Sequence, residues 1–367
     1  MNSFINIFLA VCLIACCFTA VHAGNPGKIT KLIQNKKLKE YTLETDTEIV
    51  LKVSFCRDDV FRIQAAPKGL YADPKNNPEK AQIIVDFTSR AAQVEVVEDD
   101  AWISFSTAKL TLRIDKKTSC FELLDSKQET IWIELKPIHI GEKQTRQTLS
   151  SRIDEFYYGG GQQNGYFSHK GRKIGIVADG NWNEGGHPNP SPFYMSNKGY
   201  GVLRHTFATG SYDFRSNESI VTVHKESRFD GYYFVGDSFN RVVDLYTQFT
   251  GRPNFVTIWA TELGEADAYM TRDRKSKELV KDENGEYVEI TPHVIQRLAE
   301  QYRKHDMPCG WILPNDGYGC GYVQLPYVVQ ALKSLGFYTG LWTEGELVKT
   351  QWEVGTAGTR VQKLDVA

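Results

Sequence analysis

Asp316, Glu344 and Asp365 each stand at or near the C-terminal end of a short apolar run in the last quarter of the sequence. Runs of this length and composition are typical of buried β-strands. When parallel strands close into a barrel, their C-terminal ends meet on one face, and the active site forms there. We therefore expect the three carboxylates to converge on one pocket, as catalytic or substrate-binding groups.

The elements that would position these carboxylates are successive strands and helices of a parallel barrel. Four apolar runs predict strands, and amphipathic segments predict two helices between them. The strands are expected over residues 255–260, 309–316, 337–344 and 360–367, and the helices over 292–305 and 327–335. A (β/α)8 barrel has eight strands. Residues 251–367 thus predict an incomplete (β/α)8 TIM barrel, with about four strands present, and the chain is expected to be the N-terminal part of a longer enzyme.

Residues 24–250 show a different pattern, in which apolar and polar side chains alternate over short segments separated by turns, as in residues 49–55. This alternation predicts half-buried strands, and their spacing favours a β-sandwich. Residues 238–250 instead carry apolar side chains at helical spacing, and Gly251-Arg252-Pro253 would end that helix. We place the domain boundary at residue 250.

Residues 1–23 predict a secretory signal peptide. They contain no Lys, Arg, Asp or Glu, their apolar run is too short for a comfortable membrane span, and a small-x-small step ends at Ala23. We expect a secreted or periplasmic protein without a membrane span. A minor alternative is a lipid anchor on Cys16, because Leu13-Ile14-Ala15-Cys16 resembles a bacterial lipoprotein box.

Composition and motifs exclude several other functions. The net charge of −2 over 367 residues provides no basic surface for nucleic acid. The glycine-rich residues 158–165 lack the Lys-Ser/Thr of a phosphate-binding loop, and we expect them to form a tight loop. Residues 282–285 lack the alternating oxygen ligands of a calcium loop. Neither a zinc-protease motif nor a serine-hydrolase motif occurs, so we expect neither a metal nor a cofactor.

Three segments of the sequence are similar to glycoside hydrolase family 31. They are Phe156-Tyr157-Tyr158-Gly159-Gly160-Gly161, residues 192–201 and residues 231–253. The resemblance covers about residues 150–367. It implies a galactose-mutarotase-like β-sandwich followed by a catalytic (β/α)8 barrel, and a retaining, exo-acting α-glycosidase that uses two aspartates on an oligosaccharide or glycoconjugate.

The same resemblance assigns roles to single positions. Asp365 matches the catalytic nucleophile, and Asp316 matches the carboxylate that holds hydroxyls of the innermost sugar. A retaining mechanism also needs a protonated carboxyl roughly 5–5.5 Å from the nucleophile. The family takes that general acid/base from a later strand, so the chain offers no candidate for it. By position alone, the expected pocket walls are Trp342, Glu344, Trp259 and Trp182.

The sequence departs from the family's α-glucosidases, which carry Trp-x-Asp-Met-Asn-Glu around the nucleophile. Residues 363–367 read Lys-Leu-Asp-Val-Ala, and together with residues 311–322 they look more like the subgroup acting on α-galactosides or α-N-acetylgalactosaminides. We expect no hydrolysis by the chain alone, because the acid/base is missing. Two alternatives stay open: a non-catalytic carbohydrate-binding protein that uses aromatic residues of the sandwich, and a pseudoenzyme fragment that binds substrate without turnover.

Overall fold

The computed structural model describes residues 24–71, 74, 82–85, 93–253, 256–267, 281, 291–314, 322 and 324–341. The chain separates into two compact units, Met1–Pro253 and Asn254–Ala367. The predicted signal peptide, residues 282–285 and the fourth predicted barrel strand lie outside the described residues.

The first unit is built from antiparallel strands. Its strands are β1 (Ile29–Asn35), β2 (Glu40–Thr45), β3 (Ile49–Arg57), β4 (Val60–Pro67), β5 (Glu95–Glu98), β6 (Trp102–Ser106), β7 (Leu110–Asp115), β8 (Phe121–Asp125), β9 (Thr130–Ile140), β10 (Thr145–Ser150), β11 (Tyr157–Gly161), β12 (Lys173–Ile176), β13 (Pro190–Ser196), β14 (Tyr200–Arg204), β15 (Gly210–Asp213), β16 (Ser219–His224) and β17 (Phe229–Val235). One sheet has the order β1-β2-β3-β4-β17-β14-β13-β11, and the other β12-β15-β16-β10-β9-β8-β7-β6-β5.

The main hydrophobic core draws its side chains from both sheets. In β3, buried and partly exposed residues alternate from Ile49 to Phe55, as the sequence pattern predicts. Phe61 of the first sheet stacks on Tyr233 with ring centres 4.9 Å apart, and Trp132 of the second sheet lies 5.5 Å from the same tyrosine. Two antiparallel sheets that share one core make a β-sandwich, so this prediction is confirmed.

Helix α1 (Phe239–Thr250) follows the last strand of the sandwich. Val242, Leu245 and Phe249 pack in a second core with residues of β4, β14 and β17. The helix begins after Ser238 and ends at Gly251. The φ of Gly251 is 99°, a conformation that glycine adopts readily and other residues rarely do. The predicted helix is confirmed. Among the helices of the described residues, none is long and apolar enough to cross a membrane.

The second unit contains a parallel sheet of three strands within its described residues. Strands β18 (Gly264–Ala266), β19 (Trp311–Leu313) and β20 (Tyr338–Thr339) lie in that order. A π-helical turn (Ile295–Ala299) leads into α2 (Glu300–Lys304), and α3 (Leu325–Ser334) precedes β20. Both helical segments were predicted, and Gly336 ends the second one with a φ of 78°. The closed barrel and its fourth strand remain predictions.

The first strand of this sheet is not where the sequence placed it. Within residues 255–260, the described part forms no strand: Ile258–Thr261 is a 3₁₀ turn, in which the Ala260 amide donates to the Thr257 carbonyl. The strand is Gly264–Ala266 instead. Gly264 lies so close to Trp311 that a Cβ would stand 1.9 Å from the indole. Close packing therefore selects a small residue here, and the apolar pattern that marks a strand is lost.

Candidate functional site

The carboxyl ends of β18, β19 and β20 lie side by side. The strands pair in parallel, and the hydrogen-bond ladder continues past them. The Asp267 amide donates to the Leu313 carbonyl at 2.9 Å, and the Gly340 amide donates to the Ile312 carbonyl at 3.0 Å. The segments that leave the three strands thus start from one edge, which is where active sites of parallel barrels gather.

Most of the predicted site residues lie outside the described residues: Asp316, Trp342, Glu344 and Asp365. Their roles stay predictions. The structure describes Trp259, in the second unit, and Trp182, in the first.

Asp267 is an acidic residue at this edge that the sequence analysis missed. Its side chain is buried, with 1% of the residue exposed. One carboxylate oxygen accepts a hydrogen bond from Arg297 at 2.5 Å, and the other has no partner among the described residues. Burial raises the pKa of this carboxyl, and the hydrogen bond from Arg297 offsets part of the rise. A shifted carboxyl at the carboxyl edge of a parallel sheet is a candidate functional group.

The signal that could have found Asp267 is the short segment before it. The sequence placed the strand at the more apolar residues 255–260, which left Asp267 in the middle of a connection. A strand ending at Ala266 puts the aspartate at the same position, relative to its strand, that was expected of Asp316. Asp267 was missed because β18 is three residues long and contains Gly264 and Glu265.

Trp259 has a structural partner in place of the strand-end position expected for it. The indole stacks on Tyr338, with ring centres 4.6 Å apart and planes 11° apart. Tyr302 of α2 donates to Glu265 at 2.7 Å, and this carboxylate raises the pKa of Tyr302 to about 12. The stacked pair joins the 3₁₀ turn to β20, and the hydrogen bond joins α2 to β18. One face of Trp259 is therefore already covered, and its role as a pocket wall remains a prediction.

Trp182 lies on the loop between β12 and β13 and is 68% exposed. Asp179 shapes this loop, because its carboxylate accepts hydrogen bonds from the backbone amides of Asn181 and His187, each at 3.0 Å. The hydrogen bond from the Asn181 amide is the main reason that the pKa of Asp179 is lowered. An exposed indole on a loop braced in this way offers a flat apolar face to a ligand.

A cavity of about 160 Å³ lies between this loop and the neighbouring β11–β12 loop. The side chains that line it include Gln163, Asn164, Tyr166, Arg172 and His187, and Trp182 is not among them. The Arg172 guanidinium lies 3.3 Å from the ring centre of Tyr166. Amide, guanidinium and imidazole groups around so small a cavity can hydrogen-bond a polar ligand. Because the lining residues come from separate segments, no single sequence motif predicts the cavity.

The glycine-rich segment lies next to this cavity, because it leads directly to the lining residue Gln163. Tyr157–Gly161 forms the edge strand β11, where the sequence analysis had expected a tight loop. All three glycines of β11 have positive φ, so the strand adopts a backbone that other residues rarely take. The Gln163 side-chain amide donates to the Gly160 and Gly175 carbonyls, both at 3.0 Å.

Within the described residues, no group of three His, Cys, Asp or Glu side chains is arranged to hold a metal ion. Cys56, Cys120 and Cys309 are free cysteines. Burial raises the pKa of Cys56 to about 12 and that of Cys120 to about 11, which makes both poor nucleophiles at neutral pH. The carboxylates and polar loops described above are therefore the stronger candidates for chemistry.

Residues 50–213 match the model of the "Glycosyl hydrolase 31 N-terminal galactose mutarotase-like domain". This region extends from β3 to β15 and contains strands of both sandwich sheets.

Known proteins resemble the chain beyond this region. An α-xylosidase of Saccharolobus solfataricus is 35% identical over 69 residues, which are 19% of this chain and 9% of that protein. An isomaltosyltransferase of Sporosarcina globispora is 20% identical over 277 residues, 68% of this chain and 24% of the relative. The structure of a Flavobacterium johnsoniae family 31 dextranase with isomaltotriose superimposes with a TM-score of 0.68 at 16% identity, over 90% of this chain and 40% of the dextranase.

The structural likeness to the dextranase shows the fold, at an identity too low to carry more. The chain spans less than half of the length of each of these three proteins. The family model, however, matches the sandwich itself, and family 31 enzymes superimpose on most of the chain. Residues 50–213 therefore correspond to the N-terminal domain of glycoside hydrolase family 31.

Proposed function

We propose that the protein hydrolyses terminal α-O-glycosidic bonds of an oligosaccharide or glycoconjugate, with retention of configuration at the anomeric carbon. The observation that carries this proposal is the match of residues 50–213 to the N-terminal domain of a glycosidase family. The order of the two units supports it, because the sandwich is followed by parallel strands whose carboxyl ends lie together. We propose that β18, β19 and β20 are the first three strands of a (β/α)8 barrel and that residues 360–367 form the fourth.

In this mechanism Asp365 attacks the anomeric carbon and forms a covalent glycosyl-enzyme, which water then hydrolyses. Asp316 holds hydroxyls of the innermost sugar. A second carboxyl must protonate the leaving oxygen in the first step and activate the water in the second. We assign no residue of this chain to that role.

The proposed substrate class is α-galactosides or α-N-acetylgalactosaminides, in preference to α-glucosides. The support is the sequence around Asp365 and over residues 311–322, which departs from that of the α-glucosidases. The relatives described above are named for α-xyloside, isomaltosyl and dextran chemistry. The galactoside preference therefore depends on these two short segments alone.

The assignment of Asp365 can be tested by trapping the glycosyl-enzyme. The full-length protein is incubated with mechanism-based fluorosugars of the galacto, gluco and xylo series, and the labelled peptide is identified by mass spectrometry. We expect the galacto reagent to label Asp365. A label on any other residue would refute the nucleophile assignment, and labelling by only the gluco or xylo reagent would refute the substrate class.

A matched pair of variants separates the two aspartates. With Asp365→Ala, azide can enter the vacated space, restore part of the turnover and give a β-configured glycosyl azide. With Asp316→Asn, azide should restore nothing, because the missing contacts are to sugar hydroxyls and not to the reacting carbon. Rescue of Asp316→Asn by azide would contradict these roles.

A second candidate function is sugar binding without turnover, and the exposed Trp182 on its braced loop favours it. Titration of the 367-residue chain with galactose, glucose and xylose oligosaccharides should then change tryptophan fluorescence. Trp182→Ala should abolish that change, and Tyr327→Ala, which removes another exposed aromatic side chain, should not. Equal binding by Trp182→Ala would exclude this loop as the binding surface.

We also propose that the protein is exported and cleaved after Ala23, on the strength of the uncharged apolar N-terminal segment. Intact-mass analysis of protein from its native host should give a chain that begins at Gly24. A mass corresponding to a lipidated Cys16 would favour the anchored alternative, and an uncleaved Met1 would contradict both.

A further inference from the structure

A cavity of about 210 Å³ lies where the edges of the two sandwich sheets meet. Strand β1 is the edge of the first sheet and β5 the edge of the second. The cavity is lined by Gln34, Lys36, Lys39, Tyr41, Val94 and Val96. The cavity thus combines two ammonium groups, an amide and a phenol with two apolar walls.

The backbone that presents the two lysines is fixed. Residues 36–39 form the turn between β1 and β2, and the Asn35 side chain accepts a hydrogen bond from the Leu38 amide at 3.2 Å. The Lys39 carbonyl accepts a hydrogen bond from the Phe55 amide at 3.0 Å. Lys39 has a φ of 54°, a left-handed conformation that residues other than glycine seldom adopt. The hydrogen bonds of the turn hold this conformation, in which Lys36 and Lys39 line the same cavity.

Tyr41 is also fixed, by the core beneath it. The residue is 1% exposed, and its ring lies 4.8 Å from that of Phe105 and 6.2 Å from that of Phe55. Its hydroxyl is the only polar atom that the side chain can offer to the cavity. Burial raises the pKa of this phenol, so the hydroxyl stays a neutral hydrogen-bond donor at neutral pH.

The polar groups of the cavity have no partner within the described part of the chain. Neither Lys36 nor Lys39 forms an ion pair there, although nearby lysines do: Lys31 pairs with Glu44 at 3.7 Å, and Lys52 with Glu40 at 3.9 Å. Glu40 and Glu44, the two carboxylates of β2, therefore already pair with other lysines. The hydroxyl of Tyr41 and the amide of Gln34 likewise make no hydrogen bond among the described residues.

We infer that this cavity binds a small anion. The group is an oxyanion or carboxylate, either free in solution, as sulfate or phosphate, or carried by a glycan as a sulfate ester or a uronate. Two ammonium groups attract it, the hydroxyl and amide can donate hydrogen bonds to it, and Val94 and Val96 form the apolar part of the lining. The volume is below the roughly 300–1,000 Å³ of sites for drug-sized ligands, and it suits a single charged group. This inference does not depend on the proposed hydrolase activity.

The test compares anions at constant ionic strength. The 367-residue chain is titrated by calorimetry with sodium sulfate, sodium phosphate and sodium galacturonate, with sodium chloride as the balancing salt and neutral galactose as the uncharged arm. We expect saturable binding of at least one anion and none of galactose. If free sulfate or phosphate binds and galacturonate does not, the site takes a tetrahedral oxyanion. If galacturonate binds more tightly, the site takes a charged sugar.

Two lysine variants decide whether the cavity is the site. Lys36→Gln with Lys39→Gln should weaken binding at least tenfold. Lys127→Gln with Lys143→Gln removes the same charge from two other exposed turns and should leave binding unchanged. Tyr41→Phe keeps the ring in the core and should weaken binding about 3- to 10-fold, the effect of one hydrogen bond.

The inference is overturned if no anion shows saturable binding, or if the Lys36/Lys39 variant binds as the unmodified chain does. Circular dichroism of each variant checks folding. If the double variant is unfolded, Lys36→Gln alone provides the decision, because the side chain of this exposed turn residue makes no hydrogen bond or ion pair among the described residues. Unchanged binding by Lys36→Gln would again count against the site.

Discussion

The sandwich and the parallel-sheet unit differ in how they hold their buried carboxylates. In the described sandwich, both oxygens of four of the five buried carboxylates accept hydrogen bonds; these four residues are Asp230, Glu134, Glu155 and Glu122. The fifth, Asp59, accepts a hydrogen bond from Arg241 on one oxygen. In the parallel-sheet unit only one oxygen of Asp267 does so within the described residues. Buried polar groups are normally satisfied, and functional sites are one of the places where exceptions occur. The comparison therefore separates carboxylates that stabilise a scaffold from one that is available for chemistry.

The largest effect is expected from breaking the satisfied cluster. The Asp230 carboxylate accepts hydrogen bonds from Arg62 at 2.6 and 2.8 Å and from Arg228 at 3.1 Å, and it lies 3.2 Å from His205. Burial opposes its ionisation, but these neighbours outweigh burial and hold the pKa of Asp230 well below its usual range. Asp230→Ala leaves the arginines without their anion, and we expect a loss of about 3–5 kcal/mol of unfolding free energy.

Urea denaturation at pH 7 measures this loss, and Asp213→Ala is the matched control. Asp213 pairs with Arg215 at 2.6 Å on the surface, where solvent screens such a pair and it contributes little to stability. Similar losses for the two variants would show that burial does not distinguish the two ion pairs, and the comparison of the units would then lose its energetic basis.

The second-largest effect is expected on the pH dependence of the free energy of unfolding. Glu134 is buried and forms no ion pair with any described residue. Burial raises its pKa to about 8, although hydrogen bonds from Gln147 and the Phe121 amide lower it. The folded state thus keeps a proton that the unfolded state loses above the ordinary glutamate pKa. This contribution to stability is complete below that pKa and is lost as the pH rises to about 8, by on the order of 1.4 kcal/mol per pH unit.

Glu134→Gln should remove this slope, because glutamine is neutral at every pH. Thermal unfolding between pH 5 and 8.5 gives the readout, and Glu122→Gln is the control, since Glu122 pairs with Arg113 at 2.7 Å. A stability profile that is identical in the unmodified chain and in Glu134→Gln would mean that Glu134 is ionised in the folded state.

A smaller effect is expected in the other unit. At Gly264 an added Cβ would meet the Trp311 indole at 1.9 Å, so Gly264→Ala must displace β18 or β19. Overpacking of this kind costs about 1–3 kcal/mol. Hydrogen–deuterium exchange should show loss of protection at Ile312 and Asp267 and unchanged protection in β7. Gly340→Ala is the control, because Gly340 also lacks a positive φ and its added Cβ would meet Trp311 at 3.6 Å, an ordinary contact. Unchanged exchange in β18 and β19 would contradict the close packing.

The sequence predicted the two units unequally, for reasons that single residues explain. In the sandwich each strand buries alternate residues, so residues 49–55 reveal their structure locally. Helix α1 is predicted by the helical spacing of its apolar residues and by Gly251, which follows it. The first parallel strand was misplaced because Gly264 and Glu265 hide it, and Asp267 was missed with it. The anion cavity joins the hairpin after β1 to the edge strand β5, and a local pattern contains no information about that approach.

The smallest effect is expected at the start of α1, and it tests whether local or tertiary contacts hold this helix on the sandwich. The Ser238 hydroxyl accepts a hydrogen bond from the Arg241 amide at 3.3 Å, the position of a helix N-cap. Ser238→Ala should cost about 1 kcal/mol, and Ser238→Asn almost nothing, because asparagine caps equally well. Phe249→Ala, which empties part of the core beneath the helix, should cost about 3–5 kcal/mol. If urea denaturation showed Ser238→Ala to be as damaging as Phe249→Ala, the helix would depend on its cap more than on packing, contrary to the rule that tertiary contacts supply most of the stability of a helix in a folded protein.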